Sequence, residues 1–184
     1  MAEVDSQTLN PAPVWRRPWI LFLVGAVFAL VGMAAALRLI DNASLPQTQL
    51  TTLAGTPTNL TALAGGKPAV VNLWATWCPP CRLELPFLAA AQKQEPGISF
   101  IFVDQGESAA TVERYLASAQ LDLANVVLDL GLRLGSEIGA AGLPITLFYD
   151  AGGRMVDSHL GALSPSLLER KLTRLRPAGQ TAAR

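Results

Sequence analysis

From residue 69 onward the chain alternates short, nearly unbroken apolar runs with longer amphipathic stretches. AVVNLWA (69–75) lacks polar alternation, as a strand buried on both faces does. ISFIFVD (98–104) repeats that pattern, and NVVLD (125–129) is a shorter third run. Between them the spacing predicts a helix over 80–94, a second over 109–119 opened by Gly106 and Ser108, and a helical stretch over 132–138. ITLFYD (145–150), the turn AGG and MVDSHL (155–160) predict a hairpin. A last amphipathic helix starts at Ser164-Pro165, with the serine as N-cap and the proline in the first turn. It stops before Pro177. Strands that alternate with helices early and pair as a hairpin late predict an α/β fold, a mixed sheet covered by helices on both faces.

Upstream the pattern changes. Residues 19–40, WILFLVGAVFALVGMAAALRLI, carry a single charge, Arg38. The uncharged part, 20–37, would extend about 27 Å as a helix, close to the hydrocarbon thickness of about 30 Å. Trp15 and Trp19 stand beside Arg16 and Arg17, where interfacial aromatics and cytoplasmic positive charge are expected. On the far side Arg38 is followed by Asp41. The expectation is one transmembrane anchor over 19–40, with a cytoplasmic tail (1–18) and everything after 41 outside the cytoplasm. A cleaved signal peptide is the rival reading, since Ala34-Ala35-Ala36 satisfies the small-x-small rule. Residues 41–55 read as a tether, 49–176 as the globular domain, and 177–184 as a loose tail.

Composition adds little beyond this. The 184 residues carry 14 basic and 14 acidic side chains, so no net field draws in nucleic acid. Hydrophobic residues make up 51% and charged ones 15%, an apolar balance that the 19–40 run largely explains.

Chemistry concentrates in residues 72–84, NLWATWCPPCRLE, which hold the only two cysteines. A structural bridge across two intervening residues would close too small a loop to remove much entropy from the unfolded chain. Zinc asks for about four ligands, and His159 is the only histidine to join two thiols. Cu(I) could be held by fewer soft ligands. Redox exchange fits best. At the junction of a strand and a helix, Cys78 would meet the helix's unpaired N–H groups and positive dipole end, which favour its thiolate. Pro80 suits a first turn, and Cys81 lies one turn deeper. An exported compartment is oxidising, so the pair can persist there as a disulfide.

ATWCPPC resembles the thioredoxin superfamily over about 49–175, which implies a thioredoxin-like three-layer α/β/α sandwich. Pro86 matches the proline that kinks the active-site helix in that family. GLPITLFYD (142–150) resembles the segment carrying its cis-proline, so Pro144, preceded by Leu143, would receive extended substrate chains beside the cysteines. Asn72 stands where thioredoxin has a buried aspartate. Glu84, three residues after Cys81 and on its helix face, is similar to a glutamate of the membrane-anchored TlpA, ResA and CcmG subgroup of redoxin-like (AhpC/TSA) proteins. Glu107 in VDQGES matches another. That subgroup acts in cytochrome c maturation and related thiol reduction.

The resemblance implies roles as follows. Cys78 attacks a disulfide of an exported partner protein, and Cys81, helped by Glu84 as a proton shuttle, resolves the mixed disulfide. Trp77 shields the pair, while Pro79, Pro80, Leu143 and Glu107 tune the site or contact substrate; ordinary packing is the alternative for Trp77, and an acid simply favoured by a helix start is the alternative for Glu107. Trp74 is expected in the core and His159 in a structural or solvent-facing position away from the motif. Neither a metal nor an organic cofactor is required. Re-reduction calls for a membrane electron donor of the DsbD or CcdA type, with the chain single-pass in a bacterial inner membrane and its domain in the periplasm. A disulfide-forming oxidase or isomerase is the nearest rival. A thioredoxin-fold copper carrier is a more distant one, and a peroxiredoxin weaker still, because Ala75 stands where such peroxidases use threonine.

Overall fold

The computed structural model describes residues 18–41 and 44–176; most of the predicted N-terminal tail and the end from 177 lie outside the described residues. The chain divides into two units, Met1–Asn42 and Ala43–Arg184. The first contributes one helix, α1 (Pro18–Asp41). Its backbone takes in the uncharged run 20–37, whereas its side chains are described only at Trp19 and over 22–33, where all are exposed. Among the residues so described, no helix is long and apolar enough to cross a membrane.

The second unit runs β1 (Leu50–Thr52), β2 (Pro57–Thr58), α2 (Leu60–Ala64), β3 (Ala69–Trp74), α3 (Pro79–Gln94), β4 (Ser99–Gln105), α4 (Ala109–Ser118), β5 (Val126–Asp129), α5 (Arg133–Glu137), β6 (Ile145–Tyr149), β7 (Met155–Leu160) and α6 (Pro165–Leu175). The strands form one mixed sheet in the order β2-β1-β5-β4-β3-β6-β7. β3, β4 and β5 are mutually parallel, and the remaining pairs are antiparallel. β3, β4 and β5 are buried along their whole length, which is why their sequences show no polar alternation.

Alternate residues divide between two cores. Val70, Trp74, Phe100, Phe102, Leu128 and Phe148 pack with α3, α4 and α6 on one face. Val71, Leu73, Ile101, Val103, Val127 and Leu147 pack with α2 and α5 on the other. Handedness accounts for the sides. The steps β3 to β4 and β4 to β5 go the same way, so right-handed crossovers put α3 and α4 on one face. The return from β5 to β6 runs back past both strands and carries α5 over the opposite face. Ser108 and Ser164 cap α4 and α6, accepting from Thr111 N at 3.3 Å and Leu167 N at 3.2 Å.

One segment differs from expectation. Part of the stretch read only as a tether packs onto the domain: Ser44 bridges to Arg154, Leu45 N donates to Gly153 O at 2.8 Å, and Leu45 is buried, while Leu50 is fully buried inside the 49–176 domain as expected. Burying such a leucine contributes about 1.5–3 kcal/mol, enough to draw a short polar segment onto a sheet edge.

Candidate active site

The loops at the carboxyl ends of β3, β4 and β5 and at the start of β6 meet at one end of the sheet. In open α/β sheets this is where ligands bind. β3 stops at Trp74, a bend follows over 75–77, and Cys78 becomes the N-cap of α3 with extended backbone (φ −91°, ψ 104°). Pro79 and Pro80 occupy the first turn and bring no N–H. The next donor, Cys81 N, points at Cys78 Sγ from 3.3 Å, an arrangement that favours negative charge on that sulfur. The two cysteines form a disulfide, with Cα atoms 5.3 Å apart. Cys78 keeps 3% of its surface and Cys81 none, so both are buried in this state and Cys78 is the less enclosed of the two.

Beneath Cys81 on α3, Glu84 is wholly buried. Its Oε1 accepts from Asn72 Nδ2 at 2.7 Å and its Oε2 from Leu163 N at 2.8 Å. Asn72 Nδ2 also donates to Thr146 Oγ1 at 2.9 Å, directly across from it on β6. Burial pushes the Glu84 carboxyl above its ordinary value, although the two N–H donors pull the other way. Asn72 Oδ1 has no partner, whereas both of the amide's donors are used, one on Glu84 and one on Thr146. Thus Asn72, which cannot itself exchange a proton, orients a carboxyl group that can.

Glu107 turns back from the loop after β4, and both its oxygens hold Thr76, accepting from Thr76 N at 2.6 Å and from Thr76 Oγ1 at 2.7 Å. The Leu143–Pro144 peptide bond is cis. Leu143 packs against the core cluster that includes Cys78 and Cys81. Trp77, Gly106, Leu132, Gly142 and Leu143 line an open groove of about 540 Å³ beside the cysteines. Trp77 is 66% exposed and Leu132 51%, so Trp77 stands at the rim of the site. Pro79 is exposed and Pro80 half-buried. Pro86 lies inside α3, and Trp74 is in the core.

His159 takes the structural or solvent-facing position expected: on β7 it is in register with Thr146, and its Nε2 sits 3.4 Å from Ala162 O in an exposed setting. The hairpin register brings it there. Among the described residues no three His, Cys, Asp or Glu side chains gather to hold a metal ion. Sequence reasoning missed Thr76, Asp104, Thr146 and Leu163. Asp104 left a signal, an acid at an inward position of an apolar run; Leu163 acts through its backbone and left none.

The family described as Redoxin matches residues 40–174. A thiol:disulfide interchange protein DsbE of Pseudomonas fluorescens biotype C is 35% identical over 79% of this chain and 83% of its own length. The thiol-disulfide oxidoreductase ResA of Halalkalibacterium halodurans is 30% identical over 61% of this chain and 64% of its own. Among solved structures, dsbF of Mycobacterium tuberculosis, seen in mixed oxidised and reduced forms, superposes with a TM-score of 0.65 at 26% identity, over 72% of this chain and 100% of that one. The fold is thioredoxin-like, and the chain belongs to the Redoxin family, among its thiol–disulfide oxidoreductases.

Proposed function

We propose that the chain is an exported, membrane-tethered enzyme that reduces disulfides in partner proteins, in cytochrome c maturation or a related thiol reduction. The observation that carries this reading is Glu84, fully buried one turn below a fully buried Cys81, with Cys78 the less enclosed of the two sulfur residues. In the reduced enzyme the Cys78 thiolate attacks one sulfur of the partner's disulfide. The partner's other sulfur leaves as a thiolate and takes a proton from water. Cys81 then gives its proton toward Glu84, and its thiolate attacks Cys78 Sγ, expelling the partner's second sulfur as a thiolate, which takes up a proton from water as Glu84 returns its own to solvent. Two electrons have moved: the partner holds two thiols and the enzyme the Cys78–Cys81 disulfide. A membrane dithiol of the DsbD or CcdA type returns it to the reduced form.

A buried carboxylate beside Cys81 opposes a second negative charge there, which stabilises the disulfide over the dithiol and makes the pair a reductant. The groove between Trp77 and Leu143 supports an extended, partly apolar partner segment laid against Pro144. For the anchor, the support is α1 itself: its 24 residues rise about 36 Å, and 20–37 within it lack charge. The Redoxin domain would then face the periplasm from a bacterial inner membrane.

The test uses the full-length chain. It is expected to stay with membranes through an alkaline wash and, in detergent with dithiothreitol, to accelerate insulin-disulfide reduction over many turnovers. Tight stoichiometric Cu(I) binding without turnover would instead make it a metal carrier, and release by alkali would remove the anchor.

A further inference from the structure

Exchange chemistry at the cysteines uses one acid, Glu84, and leaves a neighbouring pair without a stated part in it. Asp104 is fully buried on β4, in register with Trp74 on β3 and Leu128 on β5. Its Oδ1 accepts from Glu107 N at 3.0 Å, while Oδ2 is buried without a hydrogen-bond partner. The chain returns over Asp104 because Gly106 takes a positive φ of 83°, where a Cβ would also come within 3.3 Å of Leu132. Glu107 then grips Thr76 by backbone and hydroxyl together. Thr76 sits two residues before Cys78, whose own N–H closes on Ala75 O at 3.2 Å. Hydrogen bonds therefore run from Asp104 through Glu107 to Thr76, which lies inside the turn that the Cys78 N–H closes.

The charges on this line are unequal. Thr76 presents two donors to Glu107, which suits an ionised carboxylate. Asp104 has an unpaired oxygen in an apolar setting, which a neutral acid tolerates far better than an anion. Burial first, and then the adjoining Glu107, push Asp104 up to about 8. From β3 the neighbour is Trp74 and from β5 Leu128, neither of which titrates in that range. Tyr115 of α4 lies against Trp74, and Arg82 of α3 stacks on Tyr115.

We propose that Asp104 and Glu107 act as one positioning unit, a neutral acid beneath a carboxylate, which holds the Thr76 segment and thereby the aim of Cys78, and which loosens when the pair takes up a second charge. Neither group touches the partner or the sulfurs. The proposal rests on the exchange reading of Cys78, but its test does not require a protein substrate.

In full-length chain carrying Cys81→Ala, the only thiol is Cys78, and its alkylation by iodoacetamide is followed from pH 5 to 10. The parent is expected to show the thiol's own titration and a second step near pH 8. Asp104→Asn should erase the second step and keep the first. Glu107→Gln should slow alkylation at neutral pH by about tenfold, the cost of a charge-assisted grip. If that variant does not fold, Thr76→Val removes only the hydroxyl arm and should slow it about threefold. A second step that survives Asp104→Asn would overturn the proposal. So would an unchanged neutral rate in Glu107→Gln, or in Thr76→Val where that variant stands in. Normal alkylation behaviour in a chain that reduces no insulin would count against the exchange reading alone.

Discussion

Insulin-disulfide reduction by the Cys78→Ser chain is expected to fall to the uncatalysed rate. The expectation follows from burial: Cys81 has no exposed surface, so with the outer sulfur gone no thiolate reaches a partner. Cys81→Ser should behave differently. The first attack still occurs, because Cys78 keeps its place at the N-terminus of α3 and loses only the resolving sulfur. The product should be a stable mixed disulfide on Cys78, seen as a mass adduct that dithiothreitol removes. Undiminished turnover in Cys78→Ser would mean that the chemistry lies elsewhere.

The second large effect is expected at Glu84. In Glu84→Gln the mixed disulfide should persist longer, by on the order of 10²-fold at neutral pH, the lower range of general-base contributions. An opposing effect exists, because losing a nearby carboxylate eases negative charge on Cys81, but the loss of the proton acceptor is the larger of the two. Glutamine fits the site in size, and its carbonyl can accept from Leu163 N.

Stability should move the other way. The Glu84 carboxyl lies above its ordinary value in the folded protein. Between its unfolded and folded values the native state holds a proton that the unfolded state has lost, so stability falls as pH rises through that window. Relative to the parent, Glu84→Gln should gain stability from acid to neutral pH, read as a rising difference in urea midpoint. A constant difference, together with an unchanged mixed-disulfide lifetime, would reduce Glu84 to a packing residue.

The central strands were legible because β3, β4 and β5 are covered on both sides, and burial on two faces removes polar residues from the run. β1, β2 and α2 were not, being three, two and five residues long. Such pieces are held by the sheet edge that receives them and carry little pattern of their own. At the site, the cysteine spacing and the i, i+3 relation of Cys81 and Glu84 could be read from helix geometry. The partners of Glu84 could not, since Asn72, Thr146 and Leu163 come from three distant segments joined only by sheet register and the start of α6.

The reduction potential of the Cys78–Cys81 pair, equilibrated against glutathione or dithiothreitol, tests the reductive role most directly. A buried acid that disfavours charge on Cys81 predicts a value close to that of thioredoxin, about −270 mV, with Glu84→Gln moving it upward. A potential near that of the strong oxidant DsbA, about −120 mV, would mean that the pair makes disulfides and does not break them.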